Sequence, residues 1–289
     1  IMVLNPETTS FEAIIQHQLE PEIYSIKGLK SFLKLAEQKK LHQFPIHIKL
    51  DTGMHRLGFE ADTIQELIQT LKGNQRVLVK SILSHMATSD ASEHKDFSLA
   101  QLRLFDAMSN QLMNELSIQP LRHILNTSGI SNFPEGQYDM VRLGIGLYGV
   151  SNDAEEQKYL ENVSTLKSVI SQIRTVPAGD SVGYGRRFMA AKPTVVATIP
   201  IGYADGISRL WGNGSGYVTV NKQKAIILGS VCMDMLMVEV TGIDCSEGDD
   251  VIVFGESPTV IEIAEKTQTI PYEILTSISQ RVKRVFYRE

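Results

Sequence analysis

Residues 46–59 read IHIKLDTGMHRLGF, and this segment gives the clearest indication of the fold. Its first five residues alternate apolar and polar directly after Pro45, a pattern that is typical of a β-strand. Residues 51–53 then interrupt the strand with turn-forming side chains. Lys49 and Arg56 flank this interruption. A basic pair at the C-terminal end of a strand indicates an anion-binding site of an α/β barrel. The alternative is that Lys49 and Arg56 only form salt bridges on a solvent-exposed rim.

Composition limits the classes of protein that need to be considered. The chain has 289 residues, of which 43% are hydrophobic, and this is enough for about two packed domains. The net charge of -5 comes from mixed signs, which argues against nucleic acid as the main partner. No apolar run approaches the roughly 18 residues of a transmembrane helix. Two cysteines, Cys232 and Cys245, are too few for a disulfide framework, so we predict a cytoplasmic protein.

The first half of the chain alternates predicted strands and helices. Strand patterns cover residues 1–4, 46–50, 77–84 and 123–125, and apolar side chains at helical spacing predict helices over 10–18, 29–36, 64–71 and 98–116. Asp62 and Gln65 resemble a capping box for the third helix, and Gly73 would stop that helix. Alternation of this kind predicts a parallel sheet, either a barrel or a doubly wound sheet.

Polar residues follow each of the last strands of this half. A barrel enzyme takes catalytic residues from the C-terminal ends of several strands, whereas an open sheet concentrates them at one switch point. A single histidine in such a place is more often structural than catalytic, but four successive strand ends favour a barrel site. The groups are Asp51 and Arg56; Ser84 and His85; Asn126 and Thr127; and Arg142 followed by Gly144, Ile145 and Gly146. The glycine pair is also suited to binding phosphate through backbone N–H groups.

The pattern changes near residue 160. Short strands then recur with turn signals every eight to twelve residues, and we predict strands over 166–176, 194–199, 216–220, 226–231, 236–240 and 251–254. A short helix over 261–266 and a last strand near 282–287 complete this part. The sequence therefore predicts an α/β domain in residues 1–160 and a separate β domain in residues 161–289.

Two segments of the predicted β domain have a functional character. Residues 182–185 place Tyr184 between two glycines, which serves packing poorly and predicts an exposed phenol. Residues 231–234 end a strand with Cys232, Met233 and Asp234, which are too close together for a tetrahedral zinc set and have no histidine nearby. We predict no metal site.

In combination, these segments resemble the alanine racemase family. The resemblance runs in order over essentially the whole chain, through residues 49–58 (KLDTGMHRLG), 84–85 (SH), 126–127 (NT), 141–149 (VRLGIGLYG), 182–185 (VGYG), 199–206 (IPIGYADG), 229–234 (GSVCMD) and 270–273 (IPYE). It implies an incomplete TIM-type α/β barrel with pyridoxal 5'-phosphate, followed by a C-terminal β domain. It also implies a head-to-tail homodimer with shared active sites, and interconversion of L-alanine and D-alanine for peptidoglycan of the cell wall.

The resemblance assigns the catalytic roles. Tyr184, from the partner subunit, would be one of two bases on opposite faces of the substrate. Arg142 would face the pyridine nitrogen of the cofactor, and His85 would link Tyr184 to Arg142. A guanidinium keeps its proton, so the ring nitrogen would stay unprotonated, which favours return of a proton to the same carbon over transamination. Arg56 would bind the substrate carboxylate.

The resemblance also assigns binding roles. The N–H group of Met233 would assist Arg56, and Tyr203 and Asp234 would shape the substrate entrance. Lys49 would orient Arg56, and in many members of the family this lysine is carbamylated. The cofactor would be bound by Asn126, Thr127, Arg142, Gly144, Ile145 and Tyr272, with its phosphate on Thr127, the two N–H groups of Gly144 and Ile145, and the Tyr272 hydroxyl.

One departure from the family is large. The family's Schiff-base lysine lies in a motif of the first barrel strand, and that motif does not occur here. By alignment, Ile1 falls in the third strand region, and a complete barrel takes roughly 250 residues, so about two βα units are expected to be missing. We therefore predict that this polypeptide alone is inactive. There are three alternatives: a broad-specificity racemase, a decarboxylase with the same barrel and β domain, and a structural or dimerisation portion of a larger fused enzyme. Arg142 and residues 232–234 argue against the decarboxylase.

Overall fold

The polypeptide folds into two compact units, and each is described here by itself. The computed structural model describes residues 1–151 and 153–287. The first unit consists of Ile1–Gly144 with Ser151–Lys158, and the second consists of Ile145–Val150 with the chain from Tyr159 onward. An α/β first unit followed by a β unit confirms the predicted fold class.

The first unit contains one parallel five-stranded sheet with strands in sequential order, β1-β2-β3-β4-β5. Sequential parallel strands joined by helices are the arrangement of an α/β barrel, of which this sheet is a part. Its elements are β1 (Met2–Val3), α1 (Phe11–Gln16), β2 (Glu20–Ile23), α2 (Ile26–Gln38), β3 (Phe44–Lys49), α3 (Ile64–Leu71), β4 (Val77–Leu83), α4 (Lys95–Leu116), β5 (Leu121–His123), α5 (Thr127–Asn132) and α6 (Ala154–Gln157).

Helix α2 shows why the helices pack on this sheet. The Ser25 hydroxyl accepts a hydrogen bond from the N–H of Gly28 and so caps the first turn. Leu29, Phe32 and Ala36 recur on one face and are fully buried. The ring of Phe32 meets that of Phe11 edge to face, with 5.1 Å between centroids. Burial of such side chains is worth about 2 kcal/mol each, which fixes the helix against the sheet.

Three predictions for the first unit need correction. The sequence pattern does not predict strand β2, because Glu20, Pro21 and Glu22 hide its alternation. The predicted capping box is wrong: Asp62 lies inside a 3-10 turn, Ala61–Thr63, and the helix begins at Ile64 without a side-chain cap. Helix α4 begins at Lys95 rather than at residue 98, because the 3-10 turn Ser92–His94 leads directly into it.

The second unit is built on an antiparallel seven-stranded sheet in the order β6-β14-β11-β12-β13-β10-β7, with a separate two-stranded ribbon of β8 and β9. Its elements are β6 (Leu166–Val169), β7 (Gln172–Val176), β8 (Ser181–Val182), β9 (Phe188–Met189), β10 (Thr194–Ile199), β11 (Tyr217–Val220), β12 (Gln223–Leu228), β13 (Leu236–Glu239), β14 (Asp250–Phe254), α7 (Val260–Lys266) and α8 (Pro271–Ser277). This confirms the predicted β character.

Two strand predictions in this unit are wrong. Residues 166–176 form two strands, β6 and β7, at opposite edges of the sheet. Residues 282–287 form no strand. The chain there is held by side chains instead, because Arg284 donates to the carbonyls of Ile278, Ser279 and Val282. Helix α8 is absent from the sequence prediction, although Pro271 at its first turn is a recognisable start signal.

Throughout residues 1–151 and 153–287, the helices fall short of the length and apolarity that crossing a membrane requires.

Candidate active site

The loop after β3 presents Arg56 at the C-terminal end of the sheet. One carboxylate oxygen of Asp51 accepts hydrogen bonds from the N–H groups of Gly53 (2.8 Å) and His55 (3.1 Å), which folds the loop back on itself. Gly58 has a φ of 136°, and a Cβ there would lie 2.4 Å from the Asp51 nitrogen. Arg56 itself is exposed and has no hydrogen bond or ion pair within the described part of the chain. The loop therefore offers a guanidinium that can bind an anion.

Lys49, which precedes this loop, has a partner that the sequence did not indicate. Its ammonium lies 3.3 Å from Oε1 of Glu22 on β2. Glu22 is 1% exposed, and its other oxygen accepts the N–H of Asn5 at 2.8 Å. The geometry pairs Lys49 with a buried carboxylate rather than with Arg56. Sequence reasoning missed Glu22 because strand β2 was not recognised.

Arg142 is the most highly connected side chain of the first unit. Its Nη1 donates to Nδ1 (2.5 Å) and to the carbonyl (3.4 Å) of His123. Its Nη2 donates to the carbonyls of Ser84 (2.6 Å) and Ile124 (3.1 Å) and to Nδ1 of His85 (3.3 Å). The structure thus brings two predicted site residues, His85 and Arg142, together. His85 follows β4, but the prediction that Arg142 follows a strand is wrong: Arg142 lies in an irregular segment, and its N–H donates to the carbonyl of Leu125. His123 was seen in the sequence only as part of a strand.

Both histidines in contact with Arg142 are neutral at neutral pH. Burial first, then the charges of Arg142, Arg56 and Lys49, lower the pKa of His85 to about 4. Burial, then Arg142, lowers the pKa of His123 to about 3. Burial lowers the pKa of Arg142 to about 10, so its guanidinium remains charged. A cation therefore sits between two imidazoles that accept its hydrogen bonds.

These shifts predict that the protein is less stable in mild acid. The folded pKa values of His85 and His123 lie below the value of about 6.5 expected for the unfolded chain, so below pH 6.5 the unfolded state binds more protons. Stability should be complete above pH 6.5 and should fall as the pH approaches the folded values. Between pH 7 and pH 5 we expect a loss of about 2 kcal/mol for His123 and less for the half-buried His85, measured by urea unfolding at each pH.

The exposed His94 provides the matched control for this measurement. His94→Gln should keep the pH dependence, whereas His123→Gln should remove part of it. A free energy of unfolding that stays constant from pH 7 to pH 5 would contradict the assignment of neutral, buried imidazoles.

Thr127, Asn126 and Gly144 come together at the end of the sheet. The Thr127 hydroxyl accepts the N–H of Gly144 at 2.9 Å, and a Cβ on Gly144 would meet this hydroxyl at 3.5 Å. Asn126 caps α5 through the N–H of Gly129 and also accepts from the hydroxyl of Ser89.

Within residues 1–151 and 153–287 no three His, Cys, Asp or Glu side chains lie close enough together to form a metal-ligand set.

The remaining predicted site residues belong to the second unit. Tyr184 is 75% exposed between Gly183 (φ 78°) and Gly185 (φ 68°), which confirms the prediction of an exposed phenol. Ile145 is buried, and Tyr272 is the second residue of α8 and is exposed at its surface.

Met233, Tyr203 and Asp234 form one cluster. Cys232 donates its N–H to the carbonyl of Met235, and this turn leaves the Met233 N–H without a hydrogen-bond partner in the described part of the chain. Tyr203 donates its N–H to the carbonyl of Cys232 at 3.0 Å, which joins the two segments. Arg281 bridges them a second time, donating to Asp234 at 2.7 Å and to Asp205 at 2.8 Å. The sequence analysis assigned no role to Arg281, which directly precedes the strand predicted near residues 282–287.

Comparison with known proteins identifies the family to which both parts of the chain are similar. Residues 1–152 match the family model of the alanine racemase N-terminal domain, and residues 163–286 match that of the C-terminal domain. The chain belongs to the alanine racemase family. It is 34% identical to alanine racemase 1 of Clostridium acetobutylicum and 36% identical to the alanine racemase of Clostridium novyi, in each case covering the whole of this chain and 76% of the relative.

Solved structures of the family are equally similar. Alanine racemase from Streptomyces coelicolor superposes with a TM-score of 0.93 at 28% identity, covering 100% of this chain and 78% of the other. The enzyme from Bartonella henselae, solved with covalently bound pyridoxal phosphate, gives a TM-score of 0.87 at 32% identity, covering 99% and 79%. Members of the alanine racemase family thus carry this cofactor on this fold.

Proposed function

We propose that this protein interconverts L-alanine and D-alanine with pyridoxal 5'-phosphate, by removing the Cα proton on one face and returning a proton on the other. The observation that carries the proposal is the Arg142 guanidinium. Its Nη1 and Nη2 are held by backbone carbonyls and two histidines, whereas its Nε–H has no partner in the described part of the chain. This leaves one oriented donor for a ring nitrogen.

Arg142, Thr127 and Gly144 of the first unit have the chemistry to hold such a cofactor. Pyridoxal phosphate, when bound, withdraws electrons from the substrate Cα and so makes its proton easier to remove. Arg142 would donate a hydrogen bond, but no proton, to the pyridine nitrogen, because its pKa of about 10 keeps it charged at neutral pH. The phosphate would be bound by Thr127, Gly144, Ile145 and Tyr272, with Asn126 holding the loop that carries Thr127. These roles of the five residues remain predictions.

We propose Tyr184 of the partner subunit as one base: its phenolate would take the Cα proton of the substrate, and His85 would donate a hydrogen bond to that phenolate oxygen. The neutral His85 accepts from Arg142 at Nδ1, so its proton lies on Nε2, where it can stabilise a phenolate oxygen. The other base would be the cofactor-binding lysine, and we propose that residues 1–289 do not include it.

Substrate binding follows from charge. Arg56 would bind the carboxylate of alanine, assisted by the unpartnered N–H of Met233 from the partner subunit. Tyr203 and Asp234 would line the entrance, with Asp234 held by Arg281. Carbamylation of Lys49 remains an untested prediction. The buried carboxylate of Glu22 beside Lys49 favours the unmodified ammonium instead. A carbamate carbonyl signal in ¹³C NMR after labelling with bicarbonate would show that Lys49 is carbamylated.

The wider setting of the reaction also remains a prediction. We propose a head-to-tail homodimer with shared active sites, in which residues 1–160 bind the cofactor and residues 161–289 supply the partner's contribution. D-alanine would serve peptidoglycan synthesis in the cytoplasm.

A racemisation assay on two proteins tests function and the location of the lysine separately. Residues 1–289 alone should form no D-alanine from L-alanine. A chimera in which the N-terminal segment of the Clostridium acetobutylicum relative precedes Ile1 should racemise alanine, and Tyr184→Phe in it should reduce the rate by at least ~100-fold, the usual effect of losing a general base.

Each outcome has one meaning. Racemisation by residues 1–289 alone would show that the lysine proposal is wrong. A chimera that folds and binds pyridoxal phosphate but fails to racemise alanine would show that the function is wrong. Faster turnover of a larger amino acid than of alanine would replace alanine with a broader substrate class.

A further inference from the structure

A chain of hydrogen bonds runs across the sheet from Arg142 to the protein surface. Nδ1 of His123 accepts from Arg142, and Nε2 of His123 lies 3.0 Å from the hydroxyl of Ser81. That hydroxyl lies 2.6 Å from Nδ1 of His47, and Nε2 of His47 lies 2.9 Å from a carboxylate oxygen of Glu20. The Glu20 carboxylate also binds the ammonium of Lys80, at 2.7 and 2.9 Å. Four neighbouring strands, β2 to β5, each contribute one member.

Only one arrangement of protons satisfies every contact of this chain. Arg142 can only donate, so His123 must accept at Nδ1 and carry its proton on Nε2. Ser81 then accepts from His123 and donates to Nδ1 of His47. His47 carries its proton on Nε2 and donates it to Glu20, which is an acceptor when ionised. All four protons therefore point from Arg142 toward the surface, and each histidine is restricted to one tautomer.

Burial makes this chain costly to interrupt. His123 and Ser81 are fully buried and His47 is 5% exposed, so water cannot replace a lost partner. Burial also lowers the pKa of His47, which keeps its imidazole neutral and able to accept from Ser81. Ser81 stands opposite His47 in the register of β3 and β4, so the backbone itself aligns these two side chains.

We propose that Ser81 and His47 are positioning residues for the cofactor site: they hold the imidazole of His123 through its Nε2–H, and His123 in turn holds the Arg142 guanidinium so that its Nε–H faces the ring nitrogen. This inference rests on the proposed function for its link to pyridoxal phosphate. Ser81 is the essential member, because its single hydroxyl both accepts from one histidine and donates to the other.

The test is histidine tautomer analysis by long-range ¹H–¹⁵N NMR of residues 1–289, which needs no cofactor. In the wild-type protein His123 and His47 should both carry the proton on Nε2. Ser81→Ala should keep both protons on Nε2 but should shift the Nε2–H resonance of His123 upfield, because this donor loses its acceptor, and should weaken the binding of added pyridoxal phosphate about fivefold to tenfold, the effect of one lost hydrogen bond. Ser81→Thr, which keeps the hydroxyl, should restore both properties.

Ser109→Ala is the matched control, because Ser109 is equally buried but lies on α4 and donates to the carbonyl of Asp106. It should leave the tautomers and the cofactor affinity unchanged. If Ser81→Ala does not fold, Glu20→Ala breaks the same chain at its surface end and should shift the Nε2–H resonance of His47 upfield, because that donor loses its acceptor.

An unchanged His123 Nε2–H resonance in the hydroxyl-less variant, or an equal shift in Ser109→Ala, would overturn the proposal. A shifted resonance with cofactor affinity unchanged within twofold would overturn the link to the site. A wild-type chain with the stated tautomers that binds no pyridoxal phosphate would count against the proposed function and leave the role of Ser81 and His47 in holding His123 supported.

Discussion

Arg142→Ala is expected to lower the free energy of unfolding by about 3–5 kcal/mol, because several buried acceptors lose the donor that they share. The truncation leaves Nδ1 of His123 and the carbonyls of Ser84 and Ile124 without their donor. Each such orphaned acceptor costs about 1–3 kcal/mol when water cannot reach it. Urea unfolding followed by circular dichroism at pH 7.5 measures the loss, and pyridoxal phosphate titration of the same variant should show no saturable binding.

Two further variants define the origin of the effect. Arg142→Lys keeps the charge, but its single ammonium nitrogen cannot occupy the positions of both Nη1 and Nη2, so it should recover only part of the stability. Arg122→Ala is the control, since Arg122 contacts Asp106 at 3.2 Å and covers the ring of Tyr138 at the rim of the same sheet. We expect it to cost about 1 kcal/mol. Equal losses in Arg122→Ala and Arg142→Ala would contradict the central position of Arg142.

Gly202→Ala is expected to destabilise the second unit by about 3 kcal/mol or more. A Cβ at Gly202 would lie 2.4 Å from the carbonyl oxygens of both Cys232 and Met233, which are backbone atoms and cannot rotate away. Those carbonyls also accept the N–H groups of Tyr203 and Ala204, so relief of the overlap must break this pairing. Thermal and urea unfolding of the variant give the magnitude.

Gly214→Ala separates this overlap from the intrinsic cost of replacing glycine. Gly214 has a φ of 82°, and a Cβ there would have no neighbouring atom of the described residues within 4 Å. Alanine at this position therefore meets only the backbone penalty of about 1 kcal/mol. If Gly202→Ala is no more destabilising than Gly214→Ala, the close approach of the 202 and 232–233 segments is not important for stability.

Much of the fold and of the candidate site follows from local sequence patterns. The alternation in residues 46–50, the turn formers after it and the helical spacing of Leu29, Phe32 and Ala36 report burial and backbone preference within a few residues of themselves. The exposed Tyr184 could be predicted in the same way, because its flanking glycines adopt positive φ. Sequence motifs also indicated the alanine racemase family, which the comparisons confirm.

Local patterns failed where a segment's structure depends on distant partners. Strand β2 is polar in sequence, yet Glu20 and Glu22 are accommodated because His47 and Lys49 of the next strand bind them. Residues 282–287 have a strand pattern but form no strand. The Arg284 side chain holds this segment by hydrogen bonds to backbone carbonyls. In both cases the deciding contacts join residues that are far apart in the chain.

Short-range periodicity and turn chemistry were sufficient to predict most of the strands and helices, the two-part organisation and the polar groups at the strand ends. Which side chains contact each other was decided by the tertiary structure. Arg142 donates to His123, Lys49 pairs with Glu22, and Arg281 joins Asp205 to Asp234. The physical reason is that a hydrogen bond or ion pair depends on distance and burial, and the parallel sheet brings side chains together that the chain separates by tens of residues.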